Sequence, residues 1–213
     1  MIGLLDALGA PSAVIAGHDW GATVAWHAAL LRPDRFRAVV ALSVPFRPRG
    51  VERPTRGPRC ATCCTGGRGT RPAAATPSAW CRAAAGFLNG VPAPAALPAW
   101  LSEDDVDRYA GEFERTGFRG GLNWYRNLDR NWELLASFAG LRVTVPALYM
   151  AGDRDLVVGF PGMDRLLASL PTFVPALQGP LILPGCGHWT QQERPEEVST
   201  ALIDFLRRLP FSD

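Results

Sequence analysis

The feature that most constrains this fold is a turn. Gly17-His18-Asp19-Trp20-Gly21 stands between an apolar run, Ser12-Ala13-Val14-Ile15-Ala16, and a small-residue segment from Ala22 to Leu31. The run reads as a short buried strand and the segment as a helix, so the chain must reverse within a few residues. Gly17 and Gly21 carry no Cβ, which lets strand and helix approach around the turn. The residue at the tip then projects alone past the strand end. That residue is Asp19, and the N–H of Trp20 at the helix start can face a developing oxyanion. Two readings are open here. Asp19 is a carboxylate nucleophile that forms a covalent ester, or it only caps the helix that begins near Trp20.

Two further segments bear on that choice. Leu148-Tyr149-Met150-Ala151-Gly152-Asp153-Arg154-Asp155 is a strand followed by a carboxylate-rich turn. Leu181-Ile182-Leu183-Pro184-Gly185-Cys186-Gly187-His188-Trp189 is a strand followed by a glycine-flanked histidine. The order is nucleophile, acid, histidine, each just past a strand end, as in an α/β-hydrolase triad. Catalytic groups of open parallel sheets sit at those carboxyl ends.

The chain resembles the aspartate-nucleophile branch of the α/β-hydrolases, and most closely the soluble epoxide hydrolases of bacteria and plants. The resemblance is carried by His18-Asp19-Trp20-Gly21-Ala22, Arg32-Pro33-Asp34-Arg35, Leu42-Ser43-Val44-Pro45-Phe46, Asn123-Trp124-Tyr125-Arg126-Asn127, Asn131-Trp132-Glu133-Leu134, Gly152-Asp153-Arg154-Asp155-Leu156-Val157 and Gly187-His188-Trp189-Thr190-Gln191-Gln192-Glu193-Arg194-Pro195. It implies that Asp19 attacks an epoxide carbon, that Tyr125 protonates the leaving oxygen, and that His188 activates a water against the resulting ester. Asp155 would orient His188, because the family's acid stands just before the Leu-Val pair, and Asp153 would be a turn residue. Trp20 would supply an oxyanion N–H. Trp20 and Trp124 line the substrate pocket or only build the core. His18 is read as structural, His27 as a half-buried helix residue, and Cys186 as a small apolar filler.

The chain also departs from the family. It begins at a helix, Ile2 to Gly9, that in this fold follows the first strands, and no His-Gly-x-Pro loop, the source of a second oxyanion donor, occurs in the sequence. Losing one such donor costs about a hundredfold to a thousandfold in rate. Strands are expected near Val14, Val39, Leu148 and Ile182, with the first at an open edge. From Glu52 through Gly86 there is no Val, Ile, Leu, Met, Phe or Tyr. Such a stretch has little to bury and cannot repay its ordering entropy. The family places a second tyrosine there; this chain has none. All basic side chains are arginine, which fits GC-rich coding, and residues 52–86 are read as a frameshift product. Met1 is read as an internal start or the edge of a truncated gene.

The expected fold is therefore α/β: a partial α/β-hydrolase fold, a parallel sheet lacking its first strands with a degraded helical cap. Its divisions are 1–50, the core with the elbow; 51–91, low-complexity and disordered; 92–140, the rest of the cap; and 141–213, the core with acid and histidine. Ser102 should cap a first cap helix bearing Val106, Tyr109 and Phe113, ended by Gly117. A second should start near Leu122. The chain should rejoin the core at Pro146, and Pro195 should open the last helix with Val198, Leu202, Phe205 and Leu206 toward the sheet.

Composition narrows the partners. The stretch from Arg53 to Arg82 holds six arginines and no acid; without it 16 basic and 20 acidic residues remain. No nucleic-acid surface is implied. Cys60, Cys63, Cys64 and Cys81 are poorly spaced for a metal, with no histidine near, so no metal and no cofactor is expected. No apolar span or signal peptide is found, so a cytoplasmic chain with no membrane association is expected. The expected partners are a small apolar epoxide and water, with a homodimer or a complementing N-terminal fragment as further options. Three functions stay open: an epoxide hydrolase, slow or inactive as written; a haloalkane or haloacid dehalogenase-type hydrolase; and a non-catalytic gene fragment. Ring opening separates the first two from each other, and restored activity with an N-terminal fragment bears on the third.

Overall fold

A computed structural model describes residues 1–49 and 94–210. The low-complexity segment expected over 51–91 and Cys60, Cys63, Cys64 and Cys81 lie outside the described residues. The chain divides into two compact units, Met1–Val51 with Phe138–Asp213, and Glu52–Ser137.

The first unit holds a parallel four-stranded sheet. Its strands are β1 (Ala13–His18), β2 (Phe36–Leu42), β3 (Ala147–Gly152) and β4 (Leu177–Leu183), in the spatial order of the sequence. Residues alternate between the two faces of each strand. Ile15, Val39, Ala41, Ala147, Tyr149 and Ala151 point to one core with helices α1 (Ile2–Ala7), α2 (Trp20–Leu31) and α6 (Met163–Phe173). Ala38, Val40, Leu148, Met150 and Leu183 point to the other. There Val198 and Phe205 of α8 (Pro195–Arg208) are buried, with Leu202 and Leu206 packed beside them. Covered on both faces, β3 is buried throughout, as central parallel strands are. β1 stands at one edge. The chain rejoins this core three residues before Pro146: Val143 is fully buried and its N–H donates to Phe173 O at 2.9 Å.

The second unit carries α3 (Glu103–Thr116), α4 (Arg119–Arg126) and α5 (Leu128–Leu134). Ser102 and Asp105 form a reciprocal capping box, Asp105 N–H to Ser102 Oγ at 3.2 Å and Ser102 N–H to Asp105 Oδ2 at 3.1 Å. Gly117 ends α3 at φ 65° and ψ 176°, a positive-φ conformation that glycine takes at no steric cost. The stripe of Val106, Tyr109 and Phe113 includes no buried residue; Phe113 stacks on Phe118, ring centres 4.5 Å apart. α4 starts three residues earlier than its pattern suggested, because Phe118 rather than Leu122 opens the turn. Among the described residues, no helix is long and apolar enough to cross a membrane.

Candidate active site

The site grows from the strand ends of the first unit. β1 ends at His18, Asp19 follows at φ 53° and ψ −118°, and α2 begins at Trp20. The close approach here depends on Gly17. A Cβ on it would lie 2.1 Å from Gly21 O. A Cβ on Gly21 would meet nothing within 4 Å, so only one of the two glycines is needed sterically, in correction of the sequence reading. Asp19 makes no side-chain cap bond to α2. Its backbone oxygen accepts the N–H groups of Ala22 and Thr23, at 3.1 and 3.2 Å, so the main chain rather than the carboxylate caps the helix.

Asp155 and His188 meet beside it. His188 Nδ1 lies 3.0 Å from Asp155 Oδ1, and Nε2 lies 3.9 Å from Asp19 Oδ1. The ring thus stands between two carboxylates, with its far nitrogen turned to Asp19. Asp155 is fully buried at its side chain, and its Oδ1 also accepts the Val157 N–H at 2.9 Å. Asp153 does other work: it accepts the Gly185 N–H at 2.8 Å and ties the β3 turn to the β4 turn. Burial opposes charge on His188, but the Asp155 hydrogen bond and charge, helped by Asp19 and Glu193, outweigh it and hold the ring's pKa above its ordinary value. His18 goes the other way. Burial lowers its pKa, only partly offset by its 2.8 Å contact to His188 O.

The histidine loop is clamped from several sides. Glu193, at the end of α7 (Thr190–Glu193), accepts the N–H groups of Gly187 and Trp189 at 2.7 and 3.0 Å, one on each side of His188. A Cβ on Gly152 would lie 2.1 Å from Cys186 O, so the loop rests directly on the end of β3. Cys186 is fully buried, and burial pushes its thiol up to about 11, Glu193 adding to the effect; it stays a protonated filler.

Ser43, one residue past β2, brings its Oγ to 3.0 Å from His188 Nδ1. Ser43 and Glu193 stand within the family-like segments of the sequence, where neither has an expected role. A serine after a strand has no periodic signal, whereas a carboxylate five residues after the loop histidine could have been noticed.

Comparisons with known proteins identify the family. A family model described as "Alpha/beta hydrolase family" matches residues 2–201. Epoxide hydrolase A of Mycobacterium tuberculosis is 43% identical over 242 residues, covering 98% of this chain and 73% of that protein. The chain belongs to the α/β-hydrolase family, in its epoxide hydrolase branch. Epoxide hydrolase 3 of Siraitia grosvenorii is 36% identical, with 98% and 74% covered. Among solved structures, epoxide hydrolase A from Mycobacterium thermoresistibile matches at 42% identity and a TM-score of 0.80, over 99% of this chain and 74% of that one. An epoxide hydrolase from an endophytic Streptomyces matches at 39% and 0.82, over 96% and 70%.

As an α/β-hydrolase, the chain places Asp19, Trp20, Asp155 and His188 in one unit. Trp20 is the first residue of α2, where backbone N–H groups point out of the helix N-terminus. Tyr125 and Trp124 belong to α4 of the other unit. Trp124 is exposed there and lines a depression with Gly120, Asn123, Asn127 and Asn131. Among the described residues, no group of His, Cys, Asp and Glu is arranged to hold a metal ion.

Proposed function

We propose that this hydrolase opens small apolar epoxides to vicinal diols through an alkyl ester on Asp19. In the first step an Asp19 oxygen bonds to an epoxide carbon as the ring C–O bond breaks. The oxygen released takes a proton from Tyr125, leaving a phenolate. In the second step His188 Nε2 removes a proton from water, and the hydroxide adds to the ester carbonyl. The Trp20 N–H receives the negative charge that develops on the carbonyl oxygen. Collapse of that intermediate frees the diol and restores the Asp19 carboxylate. The proton on His188 returns through solvent to the tyrosine. Asp155 holds the ring with hydrogen on Nδ1 and offsets the charge formed when Nε2 is protonated.

The observation that carries this reading is the line Asp19–His188–Asp155, with Nε2 at 3.9 Å from the carboxylate and Nδ1 at 3.0 Å from the second. The gap of 3.9 Å exceeds a hydrogen bond, so it leaves the Asp19 carboxylate able to react. The names of the relatives favour epoxides over halides as substrate. The test reads the intermediate. The His188→Gln variant is mixed with an aryl epoxide and digested, and the Asp19 peptide is weighed. A mass increase equal to the epoxide is expected, with diol released by the wild-type chain. No adduct and no diol would sink the proposal, and halide release from a haloalkane without epoxide opening would move the chain to the dehalogenases.

A further inference from the structure

Among the described residues, two other than glycine take a positive φ: Asp19 at 53° and Ser43 at 72°. A side chain there is strained, and such strain persists only where the surroundings over-determine it, often at functional sites. Each stands one residue past a parallel strand, and the two strands are neighbours in the sheet. Both residues reach His188, one at each ring nitrogen. Asp19 Oδ1 lies 3.9 Å from Nε2, and Ser43 Oγ lies 3.0 Å from Nδ1.

The backbone of Ser43 is held without help from its hydroxyl. Its N–H donates to Met150 O at 2.8 Å, and its carbonyl accepts the Tyr149 hydroxyl at 2.9 Å. Burial first, then the nearby Asp155, push the Tyr149 hydroxyl well above its ordinary range, so it stays a donor. A glycine would satisfy both bonds and relieve the φ. The hydroxyl is therefore the feature of Ser43 that the backbone does not need. It is fully buried and directed at Nδ1. On the other partner, Asp155 Oδ2 is buried and has no hydrogen bond, so the ring is anchored to that carboxylate through Oδ1.

We infer that Ser43 is a positioning residue for His188, its hydroxyl oxygen serving as a second acceptor for the Nδ1 hydrogen beside Asp155. Two acceptors fix the rotation of the ring about its bond to Cβ. They keep hydrogen on Nδ1 and turn Nε2 to the water that attacks the ester. They also stabilise the imidazolium that forms when that water loses its proton. The inference rests on the two-step reading above, and it separates the steps. Ester formation does not use His188, so Ser43 should matter only to ester breakdown.

The test compares Ser43→Ala and Ser43→Gly with the wild-type chain. Quenched-flow mass spectrometry of the Asp19 peptide gives the two rates. Ester formation is expected within about twofold of wild type, and ester breakdown about tenfold slower in both variants, the scale of one hydrogen bond to a charged group. The Gly variant should melt above the Ala variant, because only glycine is relaxed at this φ. The ring's titration, followed by NMR of His188 in the free protein, reads the same contact without turnover. It should fall in both variants, because Asp155, Asp19, Glu193 and His18, the titratable groups facing the ring, are unchanged. Wild-type breakdown in both variants, recovery in Gly but not Ala, or equal slowing of both steps would each overturn the inference. An unmoved ring titration would do the same. If the wild-type chain forms no ester while the titration still falls, the two-step reading fails and the Ser43 contact stands.

Discussion

The two units of this chain are held together by different kinds of bonds. In the sheet unit the site joins residues far apart in sequence: Ser43 to His188 across 145 positions and His188 to Asp155 across 33. In the helical unit several side-chain bonds are local. Asp105 returns to Ser102, Arg115 to Glu112, Arg126 to Asn123, and Asn127 to Asn123, none more than four residues away. α3, α4 and α5 contain no buried residue, whereas β3 is buried along its length. Local bonds can form a helix wherever the chain runs. Long-range bonds form only when strand order and register are right, so the sheet unit is where one substitution can spread.

The largest effect is expected at the elbow. Gly17→Ala would set a methyl 2.1 Å from Gly21 O, a backbone clash that cannot relax by a rotamer change. It should destabilise the chain by roughly 3–5 kcal/mol in urea unfolding. Gly21→Ala, where a Cβ meets nothing, should be neutral or slightly stabilising. Equal effects would remove the claim that packing against α2 hangs on Gly17.

Next comes Asp155→Asn. Its shape is kept, but it offers Nδ1 an uncharged partner, so ester breakdown should slow by about 10³- to 10⁴-fold while ester formation persists. Breakdown at the wild-type rate in stopped-flow assays would place the ring's partner elsewhere.

A smaller effect concerns pH, and activity and stability should respond with opposite sign. His188 is held above its ordinary value of 6.5. Its imidazolium therefore contributes stability below that value, and the contribution is lost as pH rises through the raised folded value. The proposed ester breakdown needs the neutral ring, so its rate should rise over the same window. In the ester Asp19 has lost its charge, so the acid limb of kcat should lie below the titration of the free ring. A kcat limb above the free-ring titration would contradict Asp19 as the esterified group.

The smallest effect is expected in the helical unit. Ser102→Ala removes the capping box and should fray the start of α3 in amide exchange while leaving the His188 titration unmoved. A shift in that titration would show that the local bonds of the helices are not so local.

Much of the sheet unit was legible from residue patterns, because the rules involved are short in range. The continuous apolar run Ala38-Val39-Val40-Ala41-Leu42 marks a strand covered on both faces. Pro195 with two following carboxylates marks a helix start. Gly17 beside Asp19 marks a tight turn, although Gly21 proved to share none of the steric demand. The start of α4 and the return at Val143 were missed by three residues each, because Phe118 and Val143 act through contacts rather than cap chemistry.

The amino-acid sequence by itself determined the order of Asp19, Asp155 and His188 and the strand ends that carry them, since both follow from periodicity and glycine placement within about ten residues. Only the tertiary structure decided that Ser43 shares Nδ1, and set the 3.0 Å between that nitrogen and Asp155 while Asp153 turns to Gly185. The Ser43 contact depends on the parallel register of β2 and β3, where Leu42 pairs with Met150, and the Asp155 contact on that of β3 and β4, where Gly152 pairs with Leu183. Shifting either register by one residue turns every side chain of a strand to its opposite face, and no pattern local to Ser43 records it.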